Sequence, residues 1–270
     1  MNSESADARF DVSKPHPARR YDYWLGGKDN YPADRESADA VAEAFPTVRL
    51  AAVENRSFLR RAVNYLSAEA GIRQYLDIGA GLPTAGNVHE IAQDIAPESR
   101  IVYVDNDPIV LLHARDLLNS SPEGATAYLD ADLREPDRIL THPDLTRVLD
   151  LNRPVALMLV AVLHFITDDD AAYRLVRQLC QALPSGSYLV MSHATSDHLT
   201  AEDLAEANEA NRRSGVPFRL RSTAEFTEFF TGFELVPPGI ASVTNWRPES
   251  WRPHPRAEAV SMLGAAARIP

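Results

Sequence analysis

Tyr75-Leu76-Asp77-Ile78-Gly79-Ala80-Gly81-Leu82-Pro83-Thr84 is an apolar run that ends in Gly-x-Gly and leads into an amphipathic segment. That order marks a buried strand turning into a helix at the edge of a parallel sheet. Glycines at such a turn let a ligand approach the backbone, because side chains at Gly79 and Gly81 would occupy its space. Working outward, short apolar runs alternate with amphipathic stretches, as βαβ units require when each buried strand is covered by a helix. The pattern predicts strands over 74–78, 101–105, 125–130, 155–160 and 188–193, with helices over 86–95, 108–118 and 168–183.

Beyond these, 201–214 reads as a polar helix and 223–230 as a short amphipathic one, followed by strands over 233–236 and 240–243. The turn Pro237-Pro238-Gly239 between those two strands favours an antiparallel final pair. The expected fold class is therefore α/β: a doubly wound, Rossmann-like sheet of seven strands with an antiparallel last strand. Ahead of the sheet, 48–70 has the apolar spacing of one long helix and 35–44 of a shorter one. Residues 1–70 are expected to form a helical extension packed on the core, and 71–270 the sheet domain itself.

Composition narrows the function. The 270 residues are 45% hydrophobic and 24% charged, enough for a sizeable core and unlike a disordered chain. The net charge of −11 argues against a broad phosphate-binding face, so a small-molecule ligand is expected rather than nucleic acid. The single cysteine, Cys180, can form neither an internal disulfide nor a thiolate metal site. The first twenty residues are polar, and the longest apolar run, 155–166, is shorter than the roughly 20 residues a spanning helix needs. These features predict a cytoplasmic protein without membrane partners, and leave the oligomeric state open.

Acids mark the carboxyl edge of the sheet. The strand after the glycine turn ends at Asp105, 24 residues past Gly81, where the ribose-binding acid of an adenosine site is expected about 20 residues on. Asp132 follows the third strand, within reach of an adenine amino group, and Asp77 precedes the glycines. A dinucleotide loop would carry a third glycine where this chain has Thr84, and Pro83 removes a donor that a diphosphate would use. Lys14 and Lys28 are the only lysines, so the Tyr-x-x-x-Lys pair of short-chain dehydrogenases cannot be placed in the sheet domain. An NAD(P)-dependent oxidoreductase is the alternative enzyme class, and an adenosyl-binding regulatory module without catalysis is the non-enzymatic one.

At these residues the sequence resembles the class I S-adenosylmethionine-dependent methyltransferases, which share the Asp-x-Gly-x-Gly turn and the acids after the second and third strands. The blocks YDYWLGGKDNY (21–31), LDIGAGLPTAGNVHE (76–90) and VYVDNDP (102–108) are similar to one bacterial S-adenosyl methyltransferase family common in actinobacteria. The likeness runs from about residue 17 to about residue 245. It implies that S-adenosyl-L-methionine is the cofactor and that 71–270 is a class I methyltransferase domain. It also implies that Asp77, Gly79, Ala80 and Gly81 line the methionyl side, Asp105 the ribose, and Asn106, Asp132 and Leu133 the adenine, with Thr84 a further cofactor-binding residue. Ala161 and Val162, after the fourth strand, would floor the transfer site. That strand end lacks the Asn-Pro-Pro-Tyr pattern of DNA-base amine methylation, which favours an oxygen or another small-molecule nucleophile.

Methyl transfer from a sulfonium needs alignment more than covalent catalysis, so a general base is optional. His164 is the candidate base, because it closes an apolar strand at the catalytic edge. The aromatic block with Tyr21, Tyr23, Trp24 and Tyr31, interleaved with Arg20 and Lys28, reads either as a strap packed on the core or as a lid that excludes water from the cofactor. In the lid reading, Tyr21 and Tyr23 join the catalytic candidates, and Tyr23 and Lys28 touch the cofactor. No metal site is expected: Gln93 stands where His-Glu-x-x-His needs its second histidine after His89.

Overall fold

Alternation along the strands decides what each face of the sheet packs against. In the computed structural model, which describes residues 11–84, 86–110, 119–251 and 253–270, β1 (Gln74–Ile78) turns Tyr75 to one core cluster and Leu76 and Ile78 to another. The chain before β1 forms α1 (Pro17–Trp24), α2 (Pro32–Ala44) and α3 (Val48–Ala68). After it come α4 (Val88–Ile95), β2 (Arg100–Asp105), β3 (Ala125–Asp130), α5 (Pro136–Leu140), α6 (Pro143–Val148) and β4 (Ala156–Val160). The C-terminal part holds α7 (Asp169–Gln181), β5 (Tyr188–Ala194), α8 (Ala201–Arg213), α9 (Thr223–Glu228), β6 (Glu234–Leu235), β7 (Ala241–Ser242), α10 (Ala257–Val260) and β8 (Met262–Arg268).

On the Tyr75 face, α3 and α4 cover the sheet with Phe58, Leu59, Leu66 and Ala92, and Trp246 meets Phe58 edge-on at 5.3 Å between ring centroids. On the Leu76 face, α6, α7 and α9 contribute Val148, Val176, Leu179 and Phe226. Burying a large apolar side chain is worth about 1.5 to 3 kcal/mol, so these two layers supply most of the drive to fold.

The sheet has eight strands in the order β3-β2-β1-β4-β5-β8-β6, with β7 also on β8. The first five are parallel, and the chain reverses direction across the sheet between β1 and β4, the place where open α/β sheets bind ligands. The eighth strand is β8, which pairs antiparallel with β5 from Tyr188↔Arg268 to Ala194↔Met262. Its sequence escapes the period-2 reading because Gly264 and the following alanines carry little hydrophobic contrast. A Cβ at Gly264 would lie 2.8 Å from the Phe58 ring, so the small residue admits α3 against the sheet.

The expected final pair is corrected by the same strand. β6 and β7 do not pair with each other; both pair antiparallel with β8, at Glu234↔Arg268 and Ala241↔Gly264. Gly239 N–H does bond Val236 C=O, so the turn exists. Pro237 and Pro238 lack donors and interrupt an edge strand rather than capping a hairpin.

The five parallel strands and the helices over 35–44, 48–70, 168–183 and 201–214 fall where expected, within a few residues at their ends. The helix expected over 108–118 lies, after residue 110, outside the described residues. The described helix α1 was not expected. Its buried positions are Ala18, Arg19, Arg20 and Asp22, so its inner face is polar and leaves no hydrophobic stripe to read. His16 caps it by accepting from Ala18 N–H, with Pro17 at the first helical position.

Candidate active site

The carboxyl ends of β1, β2 and β4 open into a cavity of about 590 Å³, roofed by α1 and α2 and walled by α8. Gly79 and Gly81 both have positive φ, +78° and +67°. At Gly81 a Cβ would meet nothing within 4 Å, the open space expected beside a ligand. At Gly79 it would lie 2.4 Å from Val162 Cγ2, so here the glycine admits the side chain at the end of β4.

The acids are brought together around this turn. Asp105 Oδ2 accepts from Gly81 N–H at 2.8 Å, and its Oδ1 accepts from Asp107 N–H at 3.0 Å. Asn106 Nδ2 donates to Asp132 Oδ2 at 2.8 Å, and Arg134 also bonds Asp132, which fixes the acid next to Leu133 on the cavity wall. Asp77 is buried, and desolvation pushes its carboxyl up to about 7, against a lowering influence from Arg56. Thr84 Oγ1 is buried on the same wall without a hydrogen-bond partner.

Across from them, Ala161 holds φ +54°, an unusual value for a residue with a Cβ, and its N–H donates to Ser192 Oγ. The turn Leu163–Phe165 then carries His164 onto the cavity wall. His164 is 5% exposed, packed on Phe165 and Phe218 with ring centroids 4.4 Å away, and its Nδ1 has no partner. Burial, with smaller contributions from His193, Arg20 and Arg221, holds the imidazole well below its usual pKa, so it is neutral at pH 7. Arg221, fully buried, donates to Leu163 C=O and Ile166 C=O at 3.2 and 2.8 Å, pairs with Asp169, and clamps the turn on both sides of His164.

The N-terminal block is divided by the structure. Tyr21 reaches the cavity wall, where its hydroxyl donates to Ala52 C=O at 3.0 Å and accepts from Asn55 Nδ2 at 2.9 Å. Asn55 Oδ1 in turn accepts from Ser192 Oγ, which ties α1 through α3 to the strand end below the cavity. Tyr23 is not on the cavity wall: its hydroxyl bonds Asp39 and Arg49 stacks on its ring. Lys28 is exposed and likewise off the wall. Asp22 explains the Gly-Gly-Lys-Asp sequence instead. Its Oδ2 accepts from Asp29 N–H and Asn30 Nδ2, and a Cβ at Gly27 would collide with it.

Sequence reasoning missed Arg20 and the far wall. Asp203, Glu206 and Ala207 of α8 and the segment from Val216 to Phe218 line the cavity, but their spacing is that of an ordinary solvated helix and loop. Among the described residues, no three His, Cys, Asp or Glu side chains gather as a metal site. Cys180 lies buried in α7, its thiol pushed up to about 12 by burial.

This doubly wound sheet, with acids at the ends of β1, β2 and β3 around one cavity, defines an adenosyl-cofactor enzyme of the class I methyltransferase type. The chain belongs to the S-adenosyl methyltransferase family, whose model matches residues 3–270. The cofactor is S-adenosyl-L-methionine, and the protein is a methyltransferase. A DUF574 family protein from Streptomyces avermitilis is similar to it in crystal structure at 49% identity and TM-score 0.93, over 97% of this chain and 100% of that one. A candidate methyltransferase from Thermobifida fusca is similar at 39% identity and TM-score 0.88, over 100% and 99% of the two chains. No curated protein matches the chain. No described helix is long and apolar enough to cross a membrane.

The residues present fit the cofactor. Asp77 would offer a buried carboxyl group to the methionyl ammonium, Thr84 Oγ1 has no partner of its own, and Gly81 leaves room for close approach.

Proposed function

We propose that the enzyme methylates an oxygen of a small molecule held in the cavity between α1, α8 and the end of β4. The observation that carries this reading is His164, neutral and with Nδ1 unpartnered, which lines the same cavity as the cofactor residues. The cofactor supplies a methyl group already activated on a sulfonium. The chain's own residues then have three tasks: to hold the cofactor, to orient the acceptor, and to receive a proton. In this reading Asp77, Gly79, Ala80, Gly81 and Thr84 hold the methionyl side. Asp105 accepts from the ribose hydroxyls, and Asn106, Asp132 and Leu133 flank the adenine. Ala161 and Val162 form the floor.

A hydroxyl oxygen becomes strongly acidic as it gains a methyl group, so even a weakly basic imidazole suffices to take its proton. Nothing in the site requires a stronger base. Tyr21 acts here as a positioning residue, since its own proton is given to Ala52 C=O. Residues 1–70 serve as the extension that covers the cavity and 71–270 as the catalytic domain. The net charge of −11 supports a small acceptor in place of nucleic acid.

The test is transfer of a carbon-13 methyl from labelled cofactor into a cell extract that is then separated into small-molecule, protein and nucleic acid fractions. Label in a small-molecule fraction, with the carbon shift of an oxygen-bound methyl, is the expected result. Label confined to protein or nucleic acid, or on nitrogen or sulfur, overturns the reading.

A further inference from the structure

Arg20 is 1% exposed, yet it lines the cavity. Its hydrogen bonding is far from complete. Nη1 donates to Ser37 Oγ at 3.3 Å, the guanidinium lies 5.5 Å from the Trp24 ring centroid, and Nε has no partner. Among the described residues, no carboxylate lies within ion-pair distance of it. Asp34 is near, but its oxygens accept from His16 N–H and Tyr31 N–H and face Arg19 at 3.4 Å. Burial brings the guanidinium down to about 10, so it stays charged at neutral pH. A buried cation without a counter-anion is costly unless something completes it. The second observation is independent: His164 Nδ1, unpartnered in the same cavity and near enough to feel the charge of Arg20, is a polar atom that also needs a ligand.

The side of the cavity is informative. Arg56, whose Nη2 donates to Gly86 C=O, is the cation beside Asp77 and the glycine turn, where the cofactor belongs. Arg20 instead leans on α2 through Ser37, whose hydroxyl donates onward to Ser214 C=O at the end of α8. Ser37 and Ser214 belong to α2 and the end of α8, elements outside the glycine turn. Phe45, Val41, Val216 and Phe218 give the cavity an apolar lining, to which Asp203 and Glu206, both exposed, also contribute. Those acids repel a ligand that carries further negative charge toward solvent, and one guanidinium neutralises one charge.

We propose that Arg20 is the specificity-determining residue for the acceptor, and that the acceptor is a monoanionic hydroxy acid with an apolar or aromatic body whose carboxylate is held by Arg20. This rests on the small-molecule reading above and names the class of molecule.

The probes are 4-hydroxybenzoate and 4-hydroxycinnamate, each compared with its amide, titrated by calorimetry into the wild-type protein saturated with S-adenosylhomocysteine. The acids are expected to bind at least tenfold more tightly than the amides. Arg20→Gln should abolish that preference, Arg20→Lys should keep part of it, and both should bind S-adenosylhomocysteine as the wild type does. Absence of an acid preference in the wild type overturns the proposal, and this arm needs no folded variant. A parallel loss of S-adenosylhomocysteine affinity in Arg20→Gln also overturns it, by assigning the guanidinium to the cofactor's own carboxylate. Failure of the wild type to bind S-adenosylhomocysteine would instead strike at the functional reading beneath it.

Discussion

Asp105 Oδ2 accepts a 2.8 Å hydrogen bond from the backbone N–H of Gly81, so the acid that closes the second strand also pins the glycine turn that closes the first. One side chain therefore shapes the loop and faces the cavity that the loop borders.

Asp105→Ala should weaken S-adenosylhomocysteine binding about 10- to 100-fold, the loss of a charged acceptor being worth about 1.5 to 3 kcal/mol. Asp105→Asn should recover part of this. Burial raises the pKa of Asp105, so removing its charge relieves a cost, while Gly81 N–H and Asp107 N–H lose their acceptor; the two effects oppose, and the net change in stability should be small. Calorimetry and urea denaturation on the same samples separate the two effects. Wild-type affinity in a folded Ala variant would remove Asp105 from the site.

Asp77 makes stability and binding depend on pH in opposite senses. Its folded-state value of about 7 lies above the ordinary 3.8, so the folded protein keeps a proton that the unfolded chain releases. Stability without ligand should fall as pH rises from about 4 to 7 and then level off. Asp77→Asn escapes this loss and should be more stable at pH 8 by about 1 to 3 kcal/mol. The wild type, by contrast, should bind the cofactor more weakly as pH drops below 7 and the carboxylate protonates. In Asp77→Asn the affinity should be lower at pH 8 and its pH dependence flattened.

The two glycines should fail differently. Gly79→Ala places a Cβ against Val162 and should destabilise the fold by about 2 kcal/mol or more, combining left-handed strain with a clash. Adding Val162→Ala should return part of that loss. Gly81→Ala meets open space and should cost only ~1 to 2 kcal/mol for its positive φ, yet bind S-adenosylhomocysteine poorly. Equal affinity for wild type and Gly81→Ala would exclude the cofactor from that side of the turn.

Arg221→Met leaves Ile166 C=O and His193 Nε2 without their guanidinium donor and Leu163 C=O with Ile166 N–H alone. Stability should drop by on the order of 3 kcal/mol, readable as an earlier urea midpoint. Below that midpoint turnover should fall more than S-adenosylhomocysteine affinity does, since the clamp positions His164 rather than the cofactor. A matched fall in both would assign Arg221 to global stability alone.

Because α1 lines the cavity, amide exchange across residues 17–31 should slow when S-adenosylhomocysteine binds. Unchanged exchange there would make α1 a fixed strap. Arg19, ion-paired with Asp107 at 3.1 Å just past the second strand, is the contact through which bound cofactor would be felt.

The central sheet was legible because each parallel strand is buried on both faces and shows as an apolar run ended by Gly or Asp. The acids Asp77, Asp105 and Asp132 were legible for the same reason: the strand ends place them. What escaped is polar or small. The inner face of α1 holds Arg19, Arg20 and Asp22, which look solvated in a sequence and are buried by ion pairs and hydrogen bonds that only the tertiary structure supplies. The alanines of β8 carry no strand preference and are held by pairing with β5. Tyr23 and Lys28 illustrate the converse: conspicuous residues whose neighbours, Asp39 and Arg49 in one case and solvent in the other, lie away from the cavity.

The place of β8 between β5 and the β6 and β7 edge sets a timetable for synthesis. Residues 234–242 are synthesised before β8, the described strand they pair with, which at about 5 to 20 residues per second is a gap of seconds. Through that interval β5 also presents an open edge. The donor-poor Pro237-Pro238 break and the shortness of β6 and β7 make the waiting segment a poor template for another nascent chain. Ribosome-bound chains stopped before residue 262 should accordingly resist proteolysis far less than chains stopped once the seven residues of β8 have emerged.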